Sequence, residues 1–408
     1  MADAPQRLPL DGVRVVDFCW LIAGPLATRS LAHFGAEVIK IESQARIDFI
    51  RNGGPRPESN PSPNIAGVFN DINTSKLSVA LDMRTPRARE IVTRLVALSD
   101  VVTNNFSGEA MDRWGLGYRD LVKIKPDIIM LSMPVMGTTG PHRDYGGYGS
   151  HISAGAGLSA ITGFPGRPPV GSGSLYPDFS GNPYHAVFAV LAALRYRRRT
   201  GKGQFIDLAQ YESTAALLGP SVLQYTMLGD VPHQSGNRSR VAAPHGVYRC
   251  VGSDRWCAIA VFTDDEWRGL CTAMGHPAWS AEARFESLAS RKEHEDELDR
   301  LVESWTSDYP AYEVMHRLQR HGVPAGVVQD IRDLLENDTS YRERHVRFLE
   351  QPDVGTLTLH GEVIQISGLE PRVKRSPMLM EHTEQVLSGI LGMSQEEIDV
   401  LYADGVLQ

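Results

Sequence analysis

The sequence predicts an α/β protein, with a Rossmann-like open parallel sheet in a large domain and a smaller α+β domain. The chain has 408 residues, which is too long for one ordinary hydrophobic core. Short β-branched runs alternate with helical segments in the first half, as in a parallel sheet covered by helices. A hairpin pattern then interrupts the alternation. We therefore expect a large domain at 1–228, completed by the C-terminal segment 331–408, and a small α+β domain at 229–330.

The first βαβ unit is clear from local pattern. Val13–Phe18 is a β-branched strand, Leu26–Phe34 is helical, and Val38–Glu42 is a second strand, so a right-handed parallel connection is expected. The turn Ala23–Pro25 lies where a dinucleotide phosphate loop would lie. It lacks the three spaced glycines of that fingerprint, which argues against a nicotinamide-dependent dehydrogenase. A ligand at the carboxyl edge of the sheet is still expected, because open parallel sheets bind there.

The remaining elements follow in chain order from apolar periodicity and turn residues. The large domain should contain a short strand within Asn73–Arg84, helix Pro86–Leu98, strand Val101–Phe106, helices Glu109–Trp114 and Tyr118–Ile124, strand Ile128–Ser132, helix Asn182–Arg198, strand Gln204–Leu208 and helix Glu212–Met227. The small domain should contain a hairpin within Gly246–Val261 and helices Asp264–Met274, Arg291–Thr306 and Ala311–His321. A hairpin at Thr356–Ser367 and helices Thr383–Leu391 and Gln395–Tyr402 should close the chain. The glycine-rich stretch Tyr145–Gly157 is expected to be a loop or a flexible wall over a pocket.

Composition and charge exclude several classes of protein. The formal net charge is -8, whereas a nucleic-acid binder usually shows a basic face. The longest apolar run, Ala186–Leu194, is about half a membrane span. The four cysteines show no C-x-x-C spacing and no nearby histidine cluster, so we expect reduced thiols and no metal site. Residues 1–9 lack the pattern of a secretion signal. These features predict a cytoplasmic protein without nucleic-acid or membrane partners.

Asp178 is the most informative residue of the chain. It is the single carboxylate in Val170–Asn182, a segment rich in small residues that precedes an apolar helical run. Small residues let a bulky ligand approach the backbone closely. A helix start supplies unpaired N–H groups and a partial positive charge. A carboxylate held there should stay ionised and accessible, which suits a nucleophile. The alternative from the same residues is a helix-capping aspartate.

A second group of residues suggests a nucleotide site. Lys76 and Arg84 flank a short strand, and Asn105 and Phe106 end another strand shortly before Arg113. An aromatic ring with nearby guanidinium groups suits an adenine ring and its phosphates. For each residue taken singly, the alternative is a solvated loop or an ordinary strand end.

Short segments along almost the whole chain resemble one family. They are Leu10–Asp17, Ala23–Pro25, Gly35–Glu42, Lys76–Asp82, Asn105–Phe106, Asp112–Arg113, Thr162–Gly163, Pro168–Pro169, Thr200–Gln204, Glu381–Leu387 and Leu391–Gly392. In their order and spacing they resemble the class III coenzyme A transferase family, which includes formyl-CoA transferase and carnitine CoA-transferase. No single segment is specific, and the resemblance rests on the whole series.

The resemblance implies a site and a chemistry. The family's catalytic aspartate falls on Asp178, and its CoA-binding positions fall on Ile22, Ala23, Leu81, Arg84, Asn105, Phe106 and Arg113. Ser43 and Pro134 depart from the basic residues that some members have there. The resemblance also implies coenzyme A and acyl-CoA as substrates rather than a tightly bound cofactor, a small carboxylic acid as acceptor, and an interlocked homodimer. The reaction would pass through an aspartyl anhydride and an aspartyl-CoA thioester.

Two other functions stay open at this stage. Acyl-CoA racemases resemble the family and pair the aspartate with an upstream histidine, but Tyr148 occupies that position here and His151 lies three residues further on. A non-catalytic acyl-CoA-binding subunit of a heteromeric transferase is the second alternative, and the presence of Asp178 argues against it. Tyr148 is also a candidate substrate-binding residue, together with His245. His245 opens the small domain, where it either binds the distal carboxylate of a dicarboxylic substrate or caps the hairpin. We expect succinyl-CoA as donor and an organic acid as acceptor.

Overall fold

The computed structural model of the chain describes residues 6–56 and 60–408, and these form two compact units. The first unit comprises the described residues of Met1–Ser159 together with Gly171–Val231 and Glu343–Gln408. The second comprises Ala160–Val170 and Pro232–Arg342. The second unit thus includes the segment Ala160–Val170, which the sequence predicts to belong to the large domain. A hydrogen bond of 2.9 Å from the Gly236 amide to the Gly163 carbonyl explains this, since it joins two stretches distant in sequence.

The first unit is built on a parallel sheet that, within the described residues, has six strands. The strands are β1 Arg14–Asp17, β2 Glu37–Glu42, β3 Leu77–Ala80, β4 Val101–Asn104, β5 Ile129–Ser132 and β6 Gln204–Asp207. Their order is β3-β2-β1-β4-β5-β6, and every pair is parallel. The order reverses direction between β1 and β4, and ligands bind outside the carboxyl ends of the strands at such a point. The predicted α/β fold with a Rossmann-like sheet is confirmed.

Helices cover both faces of this sheet. The described helices between residues 23 and 228 are α1 Ala23–His33, α2 Gly67–Ile72, α3 Pro86–Ala97, α4 Ala110–Arg113, α5 Tyr118–Ile124, α6 Gly149–Gly155, α7 Leu158–Ile161, α8 Asn182–Thr200, α9 Gln210–Ala215 and α10 Gly219–Leu228. Of these, α7 crosses from the first unit into the second in sequence, and α10 has no buried residue. Successive strand residues point to opposite faces, so Val15 packs in the cluster with α1 and α8, and Val16 packs in the cluster with α3 and the C-terminal helices.

The second unit has its own sheet and core. Strands β7 His245–Arg249, β8 Trp256–Ala260 and β9 Ala325–Val327 pair in an antiparallel sheet. Its helices are α11 Asp264–Ala273, α12 Leu288–Glu293, α13 Glu295–Thr306 and α14 Ala311–Arg320. Helix α15, Thr339–His345, then crosses the boundary between the units in sequence. The first unit is completed by β10 Val346–Gln351, β11 Gly355–His360, α16 Thr383–Gly389 and α17 Gln395–Ala403. Every described helix is too short or too polar to span a lipid bilayer.

Four local predictions are wrong. The predicted helix Arg291–Thr306 is divided at His294 into α12 and α13. The last hairpin is formed by β10 and β11, and its turn lies at 352–354. The sequence predicts the turn at His360 and Gly361, but His360 ends β11 and the Gly361 N–H donates to the His345 carbonyl. The predicted helix Glu212–Met227 is interrupted by a 3₁₀ turn at Ala216–Leu218, just before Pro220, which has no N–H to continue the helical ladder. The glycine-rich stretch contains helix α6 rather than only loop, and packing overrides weak local propensity there.

Candidate active site

Asp178 lies in a turn of π-helix, Pro177–Gly181, which runs directly into α8. The backbone N–H of Asn182 closes this turn by donating to the Pro177 carbonyl. The Asp178 N–H donates to the Leu175 carbonyl at 2.9 Å, which ties the turn to the small-residue segment before it. Turns of this kind are rare and often occur at functional sites.

The Asp178 carboxylate is buried, with 7% of the residue exposed. Its Oδ2 accepts a hydrogen bond of 3.1 Å from the Gly149 N–H at the start of α6. Burial raises the pKa of Asp178 from 3.8 to about 6, and the Gly149 N–H opposes this rise. No Lys, Arg or His in the described part of the chain forms an ion pair with it. The expectation of an accessible carboxylate at the start of α8 is therefore wrong, because the side chain is buried and the N–H that it meets begins α6 instead.

Gly149 is a site residue that the sequence did not single out. A Cβ atom at this position would lie 2.3 Å from Asp178 Oδ2 and 2.9 Å from Asp178 Cγ. Only glycine leaves room for the carboxylate to reach the amide of residue 149. In the sequence, Gly149 is one of several glycines in Tyr145–Gly157, and nothing local distinguishes it from its neighbours.

The two residues suggested for the acyl group differ in their surroundings. Tyr148 directly precedes Gly149 and is exposed, and its backbone N–H donates to His151 Nδ1 at 3.3 Å. His245 lies in the second unit at the start of β7, where its Nδ1 donates to the Asn237 carbonyl. Its ring meets Phe262 edge to face and lines a cavity of about 530 Å³. The hydrogen bond to Asn237 ties the His245 ring to the segment before β7.

A cavity of about 560 Å³ opens at the carboxyl ends of β1 to β4. Residues after each strand line it, among them Trp20, Arg46, Leu81, Arg84, Phe106 and Arg113. The structure thus brings together four of the predicted CoA-binding residues, which are Leu81, Arg84, Phe106 and Arg113. Ile22, Ala23 and Asn105 lie outside its lining. Ile22 is buried against Leu26 and Ile72, and Leu175 packs on the same cluster.

Aromatic rings form the apolar wall of this cavity. Phe106 meets Trp20 edge to face at 5.5 Å and Trp114 at 5.8 Å. Asn105 holds this wall in place, because its Oδ1 accepts from the Trp20 N–H at 2.9 Å and its Nδ2 donates to the Trp20 carbonyl at 2.7 Å. The Asn105 amide is thus engaged by the Trp20 backbone, and Trp20 is a cavity-lining residue that the sequence did not single out. Rings in this arrangement suit a flat heterocycle.

Exposed guanidinium groups lie at the edge of the same cavity. Arg46 lies over the Trp20 ring at 5.6 Å, three residues beyond Ser43. Arg84 forms a two-pronged pair with Asp82, with its Nη2 2.7 Å from Asp82 Oδ2, and this pair lowers the pKa of Asp82. Arg113 has no ion-pair partner among residues 6–56 and 60–408. Arg46 and Arg113 are therefore the cations most available to a phosphate.

Buried charges fix the β1–α1 turn that carries Trp20. Lys40 Nζ donates to the Cys19 carbonyl at 2.6 Å and to Asp48 Oδ2 at 3.0 Å. The other Asp48 oxygen accepts from the N–H of Leu21, whose φ of 62° is unusual for a residue with a side chain. Lys76 pairs in the same way with Asp17 at 3.1 Å, although burial lowers the pKa of Lys76. Lys76 is thus a structural cation, not a group free to bind a ligand.

Comparison with known proteins supports the resemblance. The sequence profile of CoA-transferase family III matches residues 10–383. The chain is 33% identical over 407 residues to a succinyl-CoA–D-citramalate CoA-transferase of Chloroflexus aurantiacus, covering 99% of both chains. It is 33% identical over 414 residues to the β subunit of a succinyl-CoA–L-malate CoA-transferase of the same organism, covering 100% of both. A crystal structure of a CaiB/BaiF family protein from Brucella suis is 31% identical and superposes with a TM-score of 0.86, covering 94% of this chain and 100% of that one.

The match spans both units and includes the elements that carry Asp178 and the cavity at the sheet edge. The similarity to the first of these relatives extends over 99% of both chains, and the family profile covers nearly the whole chain, so the chain shares sequence as well as fold with the family. The class III resemblance predicted from the sequence is confirmed: the chain belongs to CoA-transferase family III.

Proposed function

We propose that the protein transfers coenzyme A from an acyl-CoA thioester to a small carboxylic acid, with Asp178 as covalent nucleophile. The observation that supports this most is the Asp178 carboxylate, which is buried, has no cationic partner in the described chain, and accepts one backbone hydrogen bond. A poorly solvated carboxylate is a better nucleophile than a hydrated one, since less water must be displaced before attack. The cavity with an aromatic wall and basic edge provides a place for the nucleotide of coenzyme A.

The reaction has two halves, each with two acyl-transfer steps: the first half loads coenzyme A onto Asp178, and the second half passes it to the acceptor acid. An Asp178 oxygen attacks the thioester carbonyl, the C–S bond breaks, and coenzyme A leaves as thiolate with a mixed anhydride on Asp178. The thiolate attacks the aspartyl carbonyl, the anhydride C–O bond breaks, and the donor acid leaves as carboxylate. The acceptor carboxylate then repeats these steps in reverse on the aspartyl-CoA thioester. Covalent catalysis divides one difficult exchange into easier steps. The Gly149 N–H is placed to stabilise negative charge on the aspartyl oxygen.

We propose succinyl-CoA as the donor and an organic acid as the acceptor. Two relatives are named for transfer from succinyl-CoA, to D-citramalate and to L-malate. A panel of acyl-CoA donors against carboxylic acids, read by mass spectrometry, identifies the pair. Transfer from other acyl-CoA donors but not from succinyl-CoA contradicts this choice. The four cysteines are buried free thiols, which fits our placement of the reaction in the reducing cytoplasm.

Trapping the intermediate tests the proposed function. With acyl-CoA and no acceptor, the aspartyl-CoA thioester should accumulate, and hydroxylamine or borohydride should change the mass of the peptide containing Asp178. A racemase would use the aspartate only to move a proton. Deuterium uptake at the α-carbon of a confirmed substrate, without any modified peptide, would therefore favour a racemase and reject the transferase.

The rate of adduct formation should increase with pH and level off above about pH 6. The attacking group is the carboxylate form, and burial raises the pKa of Asp178 to about 6. Below that pH the rate should fall tenfold per unit, as the protonated fraction increases. Single-turnover trapping without acceptor measures this step alone, so the ionisation of the acceptor acid does not affect the pH profile. An apparent pKa near 4 would contradict the burial of the free carboxyl.

Arg113→Ala should raise the KM for the CoA thioester by roughly tenfold with little change in kcat. A cation that contacts the nucleotide contributes equally to ground and transition states, and a charge-assisted hydrogen bond is worth about 1.5–3 kcal/mol. Arg84→Ala should have the smaller effect because Asp82 already compensates that charge. Arg119→Ala, on the exposed surface of α5, is the matched control. If the Arg113 variant binds CoA as well as the Arg119 variant, the nucleotide does not occupy this cavity.

We propose that two copies of the chain associate. Helix α10 has no buried residue, and apolar side chains such as Phe188 on α8 (74% exposed) and Met227 on α10 (75% exposed) face solvent in the single chain. An apolar surface of this kind marks an interaction site. Sedimentation of the parent should show a dimer, and Met227→Asp should weaken it. A parent that is monomeric alone and binds a second kind of chain would instead indicate a heteromer, as the subunit name of one relative suggests.

A further inference from the structure

Asn182 joins the π-helical turn of Asp178 to the rest of the first unit. Its backbone N–H closes that turn on the Pro177 carbonyl, and its side chain is completely buried at the first residue of α8. Asn182 Nδ2 donates to Gln210 Oε1 at 3.2 Å. The residue that completes the turn is therefore also held from outside the turn by a side-chain hydrogen bond.

Gln210 extends this connection to the sheet. Its Nε2 donates to the Met133 carbonyl at 2.7 Å, and the Met133 N–H donates to the Asn104 carbonyl at the end of β4. The Met133 carbonyl can only accept, so it fixes the orientation of the Gln210 amide, which in turn fixes that of the Asn182 amide. A directed series of hydrogen bonds thus runs from the carboxyl edge of the sheet to the π-helical turn.

The orientation leaves one group unsatisfied. Asn182 Oδ1 is buried and has no hydrogen-bond partner in the described part of the chain. A buried polar atom without a partner is costly, and native structures retain few of them. Turning the amide over would present its Oδ1 to Gln210 Oε1 and break the series. The fold therefore keeps the hydrogen bond from Asn182 Nδ2 to Gln210 and leaves the Asn182 side-chain oxygen without a partner.

We infer that Asn182 and Gln210 are positioning residues for Asp178. They hold the π-helical turn at a fixed distance from the sheet edge, so that the carboxylate meets the Gly149 N–H and the thioester in one geometry. Covalent attack is sensitive to displacements of this carboxylate well below 1 Å, on the order of 0.5 Å. This inference rests on the proposed role of Asp178 as nucleophile.

Gln210→Met tests the inference, because methionine has nearly the volume of glutamine but cannot make either hydrogen bond. Single-turnover formation of the Asp178 adduct should slow by roughly 100-fold, with the KM for the CoA thioester changed by less than about twofold. Glu212→Gln is the control on the same helix. Glu212 is exposed on α9 and forms none of the hydrogen bonds that connect the sheet to the π-helical turn, so this variant should keep the parent rate.

The double variant Gln210→Met/Asn182→Leu separates positioning from stability. Gln210→Met alone leaves the Asn182 amide buried without a partner, whereas the double variant removes that amide, so the double variant should be more resistant to urea. The rate of adduct formation should nevertheless stay low. If the rate recovers together with stability, or if Gln210→Met reacts like the parent, the positioning role is rejected. A parent protein that forms no adduct at all would instead reject the proposed function.

Discussion

Asp178→Asn is expected to abolish CoA transfer while making the protein more stable above pH 6. Asparagine keeps the volume of the side chain and an oxygen that can accept from the Gly149 N–H, but it is no longer an anionic nucleophile. Loss of a covalent nucleophile lowers kcat by roughly 10⁴-fold or more. No modified peptide should appear with acyl-CoA and hydroxylamine. Asp404→Asn, at an exposed carboxylate beyond α17, should behave as the parent.

The gain in stability follows from the pKa of the buried carboxyl. Because burial raises the pKa of Asp178 from 3.8 to about 6, the folded protein binds this proton more tightly than the unfolded chain. The free energy of unfolding of the parent should therefore fall as pH increases from about 4 to 6, by up to about 3 kcal/mol. The free energy of unfolding of the Asp178→Asn variant should not fall in this pH range, because its side chain does not ionise. Urea unfolding of both proteins at pH 4 and pH 8 measures this difference, and equal stability of the two at pH 8 would contradict the burial of a free carboxylate.

Gly149→Ala is expected to lower kcat by roughly 100-fold, an effect comparable to a displacement of about 1 Å of a reacting group. The new Cβ would lie 2.3 Å from Asp178 Oδ2, far inside van der Waals contact, so either the carboxylate or the start of α6 must move. The KM for the CoA thioester should change little, because Gly149 does not line the cavity at the sheet edge. Steady-state rates with saturating donor and acceptor measure both quantities.

Gly146→Ala provides the control for this variant. It lies in the same glycine-rich stretch, but a Cβ there meets no atom within 4 Å. The Gly146 variant should turn over like the parent. If Gly149→Ala also retains the parent kcat, then contact between residue 149 and the carboxylate is not needed for the reaction.

Local sequence pattern was sufficient for most elements of the first unit. Val13–Phe18 and Val38–Glu42 are β-branched runs buried on both faces in the sheet, and such runs have few alternatives to a central parallel strand. Asp178 could also be singled out as a candidate, because it is a lone carboxylate among small residues. The prediction failed where several weak local signals competed, as at Gly149–Gly155 and at the last hairpin.

The burial of Asp178 and the partners of the charged residues were decided only by the tertiary structure. Lys40 and Asp48 appear as ordinary charges in the sequence, yet they meet in the interior and fix the turn of Trp20. The side-chain amide of Asn105, a predicted CoA-binding residue, holds the Trp20 backbone, a contact that the sequence does not reveal.

The sequence by itself thus determined the family and the sheet and singled out Asp178 as the candidate nucleophile, because these depend on residue type and short-range periodicity. The contacts between Gly149, Asp178, Asn182 and Gln210 join α6, the π-helical turn, α8 and α9. Only the folded chain decides which residues meet across such distances in sequence, since burial and hydrogen-bond geometry arise when separate elements pack together.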